Sequence, residues 1–447
     1  MHKRLDADVV VAGGGPAGIN AAIAAGRLGA RTVLVERYGF LGGMSTIALV
    51  YPWMTFHTMD GRQVIGGIAQ EIVDRLREAG ASPGHLRDTC GFVRTVTPFH
   101  PEMYKLVALD MLKEAGVKVI VHSLLHEAVV QDGRIRAVRL ATKSGPVEIR
   151  GHTFVDATGD ADLAYFAGAP VVKGRPADGK TQPMTMKFRM KGVDLEAVKR
   201  YMIEHPDEFY PKTPVAELVD LPLTAVQGFY RHWREANLPI NRDQVLFFAG
   251  PDPDEVVVNM VRVQGLDGTD AEQLTEAEEQ GRRQVLMIAE FMKKHLPGFG
   301  RASVTQVGMQ IGVRETRRID GQYALTMDDV VQGRRFDDAI ARSGYPIDIH
   351  DPAGKHVTAA WIAGDGAYDI PYRCLLPKKI GNLLAAGRCI STTHEAHATT
   401  RLTPSAMATG QAAGTAAAMA AAEDRPPQSI DVARLRDILR RNGAMLD

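Results

Sequence analysis

Hydrophobic residues recur along this chain in two rhythms, and the first is already audible at Asp8 to Ala12 (DVVVA). A glycine turn, Gly13 to Gly18, leads into INAAIAAGRLGA, a helix of small residues. The run Thr32 to Glu36 (TVLVE) then reads as a strand ending in an acid. Strand, glycine turn, helix and strand within one short segment predict a βαβ unit with a right-handed connection. Ile68, Ile72, Val73 and Leu76 share one helical face, as do Met103, Leu106, Val107 and Met111, so two amphipathic helices are expected. Val117 to Val121 reads as a strand. From His126 the period drops to two, with turns at Asp132-Gly133 and Ser144-Gly145, which predicts a three-stranded antiparallel meander. It leads into a core strand, Thr153 to Ala157.

From Lys173 to Pro377 the composition shifts toward proline, aromatic and long charged residues. Val256 to Val263 and Ala302 to Ile311 read as strands, and the acidic stretch Ala271 to Leu296 as a long surface helix. After Pro377 the earlier style returns, with a strand in NLLAAGR, a loop and an alanine-rich helix. The expected fold is therefore α/β: a Rossmann-like nucleotide domain of parallel sheet plus meander, residues 1–173 and 377–447, interrupted by an α+β substrate domain, 174–376. The tail Ile430 to Arg441 is a short basic amphipathic helix, expected to pack on the surface.

Composition narrows the function classes. Of 447 residues, 45% are hydrophobic and 24% charged, which excludes disordered and fibrous proteins. Lys plus Arg (53) equals Asp plus Glu (53), so the basic excess of a nucleic-acid binder is missing. Three cysteines, none within CxxC reach of another, exclude a disulfide framework, a Cys-rich zinc site and a Cys-ligated cluster, and no metal is expected. Asp6 and Asp8 interrupt any leader-like apolar core, and Gly410 to Ala422 is too short to span a bilayer; a cytoplasmic protein without a membrane partner is expected.

The glycine excess has a purpose at Gly13-x-Gly15-x-x-Gly18. Gly13 makes the tight turn, Gly15 admits a pyrophosphate to the backbone, and Gly18 allows close helix–strand packing. Glu36, at the end of the second strand, is placed to accept hydrogen bonds from ribose hydroxyls. The full run VVVAGGGPAGINAAIAAGRLGARTVLVERYGFLGGMST resembles the opening of FAD-dependent oxidoreductases of the glutathione-reductase type. FVDATGD at Phe154 to Asp160, NLLAAGR at Asn382 to Arg388 and GQAAG at Gly410 to Gly414 are similar to later blocks of the same family, in the same order. Narrower stretches, among them GVRETRRIDGQYALTMDDV and AGRCISTTHEAHATTRLTPSAMATGQAAG, look like one large subfamily of these oxidoreductases. The resemblance implies FAD as cofactor. It implies contacts from Gly13, Gly15, Pro16, Ala17, Gly18, Glu36, Arg37 and the Gly42-Gly43-Met44-Ser45 turn. Val129 of the meander, Ala157, Thr158, Gly159, Gly387, Arg388 and Thr403 complete the implied set.

Absences limit the reaction. No second strand–GxGxxG–helix unit signals an NAD(P)H domain, so neither NADH nor NADPH is expected to reduce the flavin efficiently. No redox cysteine pair and no Trp-x-Trp-x-Ile-Pro run are present. What remains is a dehydrogenase or oxidase moving a hydride from a small polar, anionic or sugar-like substrate to flavin N5. The alternatives are a C=C reductase of fumarate-reductase type and a non-catalytic redox sensor. The sequence names neither the electron acceptor nor the oligomeric state, leaving a homo-oligomer open.

The resemblance implies that the segment Ser391 to Pro404 carries the chain past the flavin to the helix beginning near Thr403, whose N-terminal dipole would favour an anionic reduced ring. His397 is the preferred base there, with an ordinary imidazole pKa, and His394 the second choice; Arg401 would hold a carboxylate or developing oxyanion. The bland alternative is a structural loop. Arg373 and Tyr372, ahead of the flavin strand, and the loop residue His350 are further catalytic candidates. Arg314, Arg317 and Arg318 are expected as a solvated ion-pair face, with an anion pocket as the alternative. Met184 and Met186 are expected in the wall of the second domain, and Cys389 as a buried filler.

Overall fold

A computed structural model describes residues 3–355 and 357–447. Strand β1 (Lys3–Ala12), helix α1 (Pro16–Arg27) and strand β2 (Thr32–Val35) form the first βαβ unit. Helix α2 (Pro101–Glu114) and strand β3 (Lys118–Ile120) extend it. The meander follows as β4 (Ser123–Gln131), β5 (Arg134–Thr142) and β6 (Gly145–Asp156). Its first turn uses the positive φ of Asp132 and Gly133 that the sequence signals.

Strand β6 does two jobs that the sequence reads as two strands. Its first half pairs antiparallel with β5 as the last meander strand. From Val147 onward it also runs parallel to β1, and its end, Phe154–Asp156, runs parallel to the late strand Leu383–Ala385. The sheet order is therefore β3–β2–β1–β6, with β5, β4 and Leu383–Ala385 on the far side of β6. Buried valines and small residues on both faces mark a parallel sheet covered on each side.

A second sheet is wholly antiparallel. Strands β7 (Phe188–Lys191), β8 (Ala225–Gly228), β9 (Val245–Ala249), β10 (Glu255–Val258) and β11 (Ser303–Val307) stand in the order β8–β9–β10–β7–β11. Helix α3 (Ala271–His295), capped by Asp270, lays Ala277, Gly281, Val285, Ile288 and Met292 on one face into a separate core with Met184, Met186 and Phe188. The β11 strand is shorter than the sequence pattern suggests. Beyond Gly308, the amides of Met309 and Gln310 turn to the carbonyl of Ile47, tying this sheet to the short helix Met44–Ile47. The β10 strand likewise ends at Val258, short of Val263.

Two local expectations shift. Ile68, Ile72, Val73 and Leu76 are buried as predicted, but in α2 the core face is Tyr104, Ala108, Met111 and Leu112, and Leu106 is half exposed. Tyr104 stacks edge-on against Trp53 and Phe99, and that aromatic cluster rotates the helix away from the simple aliphatic stripe. The segment after Ser391 is a helix, α4 (His394–Thr400), because the Thr393 hydroxyl caps it by accepting from Ala396. Helix α5 (Thr403–Ala422) follows at once, and α6 (Val432–Arg441) starts on the Asp431 cap and buries Leu435 and Leu439.

Helices α1 and α5 pack backbone to backbone. A Cβ on Gly410 or Gly414 would overlap the carbonyl oxygens of Ala17 and Ala21, so the GQAAG run exists to let the two helices touch. The match of Gly410 to Ala17 and Gly414 to Ala21 makes them parallel and sets Thr409 level with Pro16. Thr403 thus begins α5 six residues, or about 9 Å, ahead of the start of α1. Two helix N-termini therefore open on the same side of the sheet, in series.

Candidate active site

Those two N-termini face one continuous cleft. Three connected cavities compose it: Gly13, Glu36, Arg37 and Thr158 are shared by the first two, and Met44, Arg388, Arg401 and Thr403 by the last two.

At the first end, Glu36 is buried, accepting from the amides of Gly14 (2.6 Å) and Tyr38 (2.9 Å). Burial pushes its pKa up, and these amides act against that shift. Beside it, Ser123, Leu124 and Leu125 of β4 form the wall. Val129 does not; it lies further along β4, opposite Ala137, so the expected contact moves to the start of the strand.

In the middle, Gly13 has φ of 103°, which needs glycine, and a Cβ on Gly18 would overlap the Gly13 carbonyl oxygen. Gly15 differs. Its backbone is ordinary, and its missing Cβ would point into the cavity, where the nearest atom is the Gly43 Cα at 3.7 Å. No side chain caps α1. An uncapped helix N-terminus above a space that one methyl would fill is a cradle for a diphosphate. Pro16, Ala17, Gly43, Met44, Ala157, Thr158, Gly159 and Gly387 complete its lining. Gly42 and Ser45 stand behind it. The Gly42 amide donates to the Gly14 carbonyl, and the Ser45 hydroxyl accepts from Trp53, so both shape the turn without lining the space.

Arg388 marks the passage to the last cavity. Asp160 holds one of its Nη groups at 2.7 Å, and the other is buried without a partner. Thr403 opens α5 here, again with no side-chain cap. The residues present thus fit a dinucleotide-type cofactor along the whole cleft.

The third cavity lies between the two sheets. Arg314, Lys187, Arg401, Asp348 and His350 line it, with Tyr51, Met54 and Phe248 as apolar wall. Arg314 donates to the Pro183 carbonyl at 2.7 Å and to the Thr185 hydroxyl. Asp348 accepts from the Tyr345 hydroxyl at 3.0 Å and pairs with His350 (3.5 Å) and Arg401 (3.7 Å). Burial would raise the Asp348 pKa, but His350, Arg401 and Arg314 hold it well below the usual carboxylate range. Burial and Arg314 in turn push His350 down to about 3. Burial and neighbouring arginines press Arg314 well below its ordinary value, as befits a cluster of cations short of an anion.

Several expectations are corrected here. His397 is sealed in α4: its Nε2–H donates to the Arg314 carbonyl at 3.0 Å, and burial pushes its pKa down to about 3. His394 is equally buried against Glu315, 3.0 Å away. His394 braces Glu315, which also pairs with Arg318; burial opposes its ionisation, yet His394 and Arg318 hold its pKa down to about 2. The expected solvated arginine face is thus a buried network. Arg401 does line the cleft, and so does His350. Arg373 points outward to Asp338 (2.9 Å) and stacks on Tyr323. Tyr372 is buried, donating to the Pro427 carbonyl, so neither belongs to the cavity. Cys389 is a buried filler.

The sequence reading missed Lys187 and Asp348 as pocket groups and held the anion pocket only as the alternative for Arg314. For Lys187 a signal existed in QPMTMKF. If Met184, Met186 and Phe188 face a core, strand alternation turns Thr185 and Lys187 to the opposite side. For Asp348 there was none.

Among the described residues, no helix is long and apolar enough to cross a membrane, and no group of three or more His, Cys, Asp or Glu could hold a metal.

Known proteins bear on this site. A 31% identical stretch of 229 residues, 48% of this chain and 74% of the relative, matches the thiamine thiazole synthase of Aeropyrum pernix. A 44-residue stretch is 57% identical to the dihydrolipoyl dehydrogenase of Vibrio parahaemolyticus, covering 10% of this chain and 9% of that one. A solved geranylgeranyl bacteriochlorophyll reductase-like protein from Thermoplasma acidophilum aligns over 99% of this chain and 85% of its own, with 11% identity and a TM-score of 0.49. The model of the family described as FAD dependent oxidoreductase matches residues 8–439. FAD is the cofactor of that family, and the chain belongs to the FAD-dependent oxidoreductase family.

Proposed function

We propose that this protein oxidises a small anionic metabolite at the cavity between its two sheets. The observation that carries the reading is the charge balance there. Asp348 is the one carboxylate among the described lining residues, against Arg314 and Arg401, with Arg388 already paired to Asp160. Buried cations without counter-charge are costly, and a substrate carboxylate would restore the balance. Arg314 and Arg401 bind and orient that carboxylate, Asp348 steers Arg401 through its ion pair, and Met54 and Phe248 exclude water. FAD, when bound, supplies the two-electron acceptor.

The same reading carries the domain division at 173/174 and 376/377, descent from the glutathione-reductase type of flavoprotein, and action in the cytoplasm with a separate electron acceptor. The strand Leu383–Ala385 beside Phe154–Asp156 supports the division, since a late strand completes the early sheet.

A second reading, C=C reduction of the fumarate-reductase type, draws support from Arg314. Its depressed pKa makes it a better proton donor than an ordinary arginine. One anaerobic experiment separates the two. Bleaching of the bound flavin by carboxylates and not by their amides supports oxidation. Reoxidation of the photoreduced protein by unsaturated carboxylates supports reduction, and silence toward both defeats each.

A further inference from the structure

We propose that Lys187 is the proton acceptor of this oxidation, a role that rests on reading the pocket as an oxidation site. Lys187 precedes β7 and occupies the cavity side of its alternation, because Met186 and Phe188 on either side are fully buried in the antiparallel sheet's core. The side chain is more than nine-tenths buried, and its Nζ donates to the Tyr51 carbonyl at 3.1 Å and sits 5.2 Å from the centre of the Phe248 ring. No carboxylate of the described residues lies within ion-pair distance of it, whereas the nearby histidines and arginines are each bound to an acid or a carbonyl.

The groups around it point the same way. Arg314 and Arg401 face Lys187 from two other segments, Asp348 and His350 from the Ile347–His350 strand, Tyr345 from the turn before that strand, and Arg388 from the cofactor side. Burial, with Arg314 and Arg401 adding like charge, pushes the amine pKa down to about 7. A neutral amine is thus available at neutral pH, in the range where a general base works best. His350, at about 3, is a far weaker base and already serves Asp348.

The balance of the step is simple. A substrate carrying H–C–O–H or H–C–N–H gives its O–H or N–H proton to the Lys187 lone pair, forming –NH3+. The freed electron pair makes the C=O or C=N bond as the C–H bond breaks, and that hydrogen leaves with its two electrons to the oxidant, FAD. Lys187 returns its proton to solvent after the product departs.

Two measurements test this. In FAD-loaded protein with 15N-labelled lysine, the Nζ signal missing from Lys187→Met should titrate near pH 7, and oxalate should move that midpoint upward. A midpoint near the ordinary value of about 10.4, or one indifferent to oxalate, overturns the proposal. In anaerobic stopped flow with a carboxylate that bleaches the wild type, the reduction rate should rise with pH and level off above about 7. Lys187→Met should retain FAD and slow reduction by about 10²–10⁴-fold, and Lys187→Arg should not rescue it, since arginine keeps its proton. Equal rates in Lys187→Met and wild type overturn Lys187 alone. A wild type that no carboxylate reduces overturns the oxidation reading and this role with it.

Discussion

The cofactor cleft and the substrate cavity share four residues yet are built by opposite means. The cleft is mostly backbone: a glycine turn, two helix N-termini without side-chain caps, and a strand end at Glu36. Its specificity lies in what is left out, chiefly Cβ atoms. The substrate cavity is mostly side chain, with Lys187, Arg314, Asp348 and Arg401 arriving from four separated segments. A backbone site tolerates changes in side-chain chemistry and fails on added volume; a side-chain site does the reverse.

The largest expected effect breaks the first half of that comparison. Gly15→Val should yield a folded but flavin-free protein, since the φ of −76° is ordinary and the added methyls fall in the cradle. A loss of more than about 10³-fold in FAD affinity is expected from blocking the diphosphate, measured by titrating apoprotein with FAD. Gly18→Ala, in contrast, should lose the fold as well, read by circular dichroism, because its methyl meets the Gly13 carbonyl within the protein.

Next comes the buried network behind the pocket. Glu315→Gln leaves Arg318 charged and buried without its partner, at a cost of about 3–5 kcal/mol. The sign of the pH dependence follows from its depressed pKa of about 2: the stability that Glu315 contributes is full above its unfolded value near 4.3 and is lost as pH falls toward 2. Chemical denaturation of both proteins at pH 7 and pH 3 should therefore show the difference shrinking in acid.

Arg401→Met sharpens the second half. It should weaken the binding of a substrate carboxylate by about 10–100-fold, the worth of a charge-assisted hydrogen bond, while FAD stays bound. Equal weakening for a neutral substrate analogue would show Arg401 acting on shape and not charge. The smallest effect is expected outside both sites. Arg373→Ala removes an ion pair with Asp338 that is nearly half exposed on the arginine side, worth at most about 1 kcal/mol, and should leave flavin reduction unchanged.

His397 shows how the two kinds of site differ in legibility. Its place just before α5 made it the expected base, and spacing alone could not reveal that Thr393 starts a helix there and turns the imidazole inward onto the Arg314 carbonyl. Arg318 was misjudged for the same reason: alternation fixes a side but does not say whether that side is water or Glu315.

What the amino-acid order determined by itself is everything that depends on neighbours in the chain. The glycine turn, the acid ending β2, the meander turn at Asp132-Gly133 and the small residues that let α5 lie on α1 all rest on local dihedrals and on Cβ atoms that are absent. Tertiary structure alone decided which charges would share a cavity. Lys187, Arg314, Asp348 and Arg401 are far apart in the chain, and their chemistry depends on burial and on one another's fields, neither of which exists until the two sheets close over the cleft.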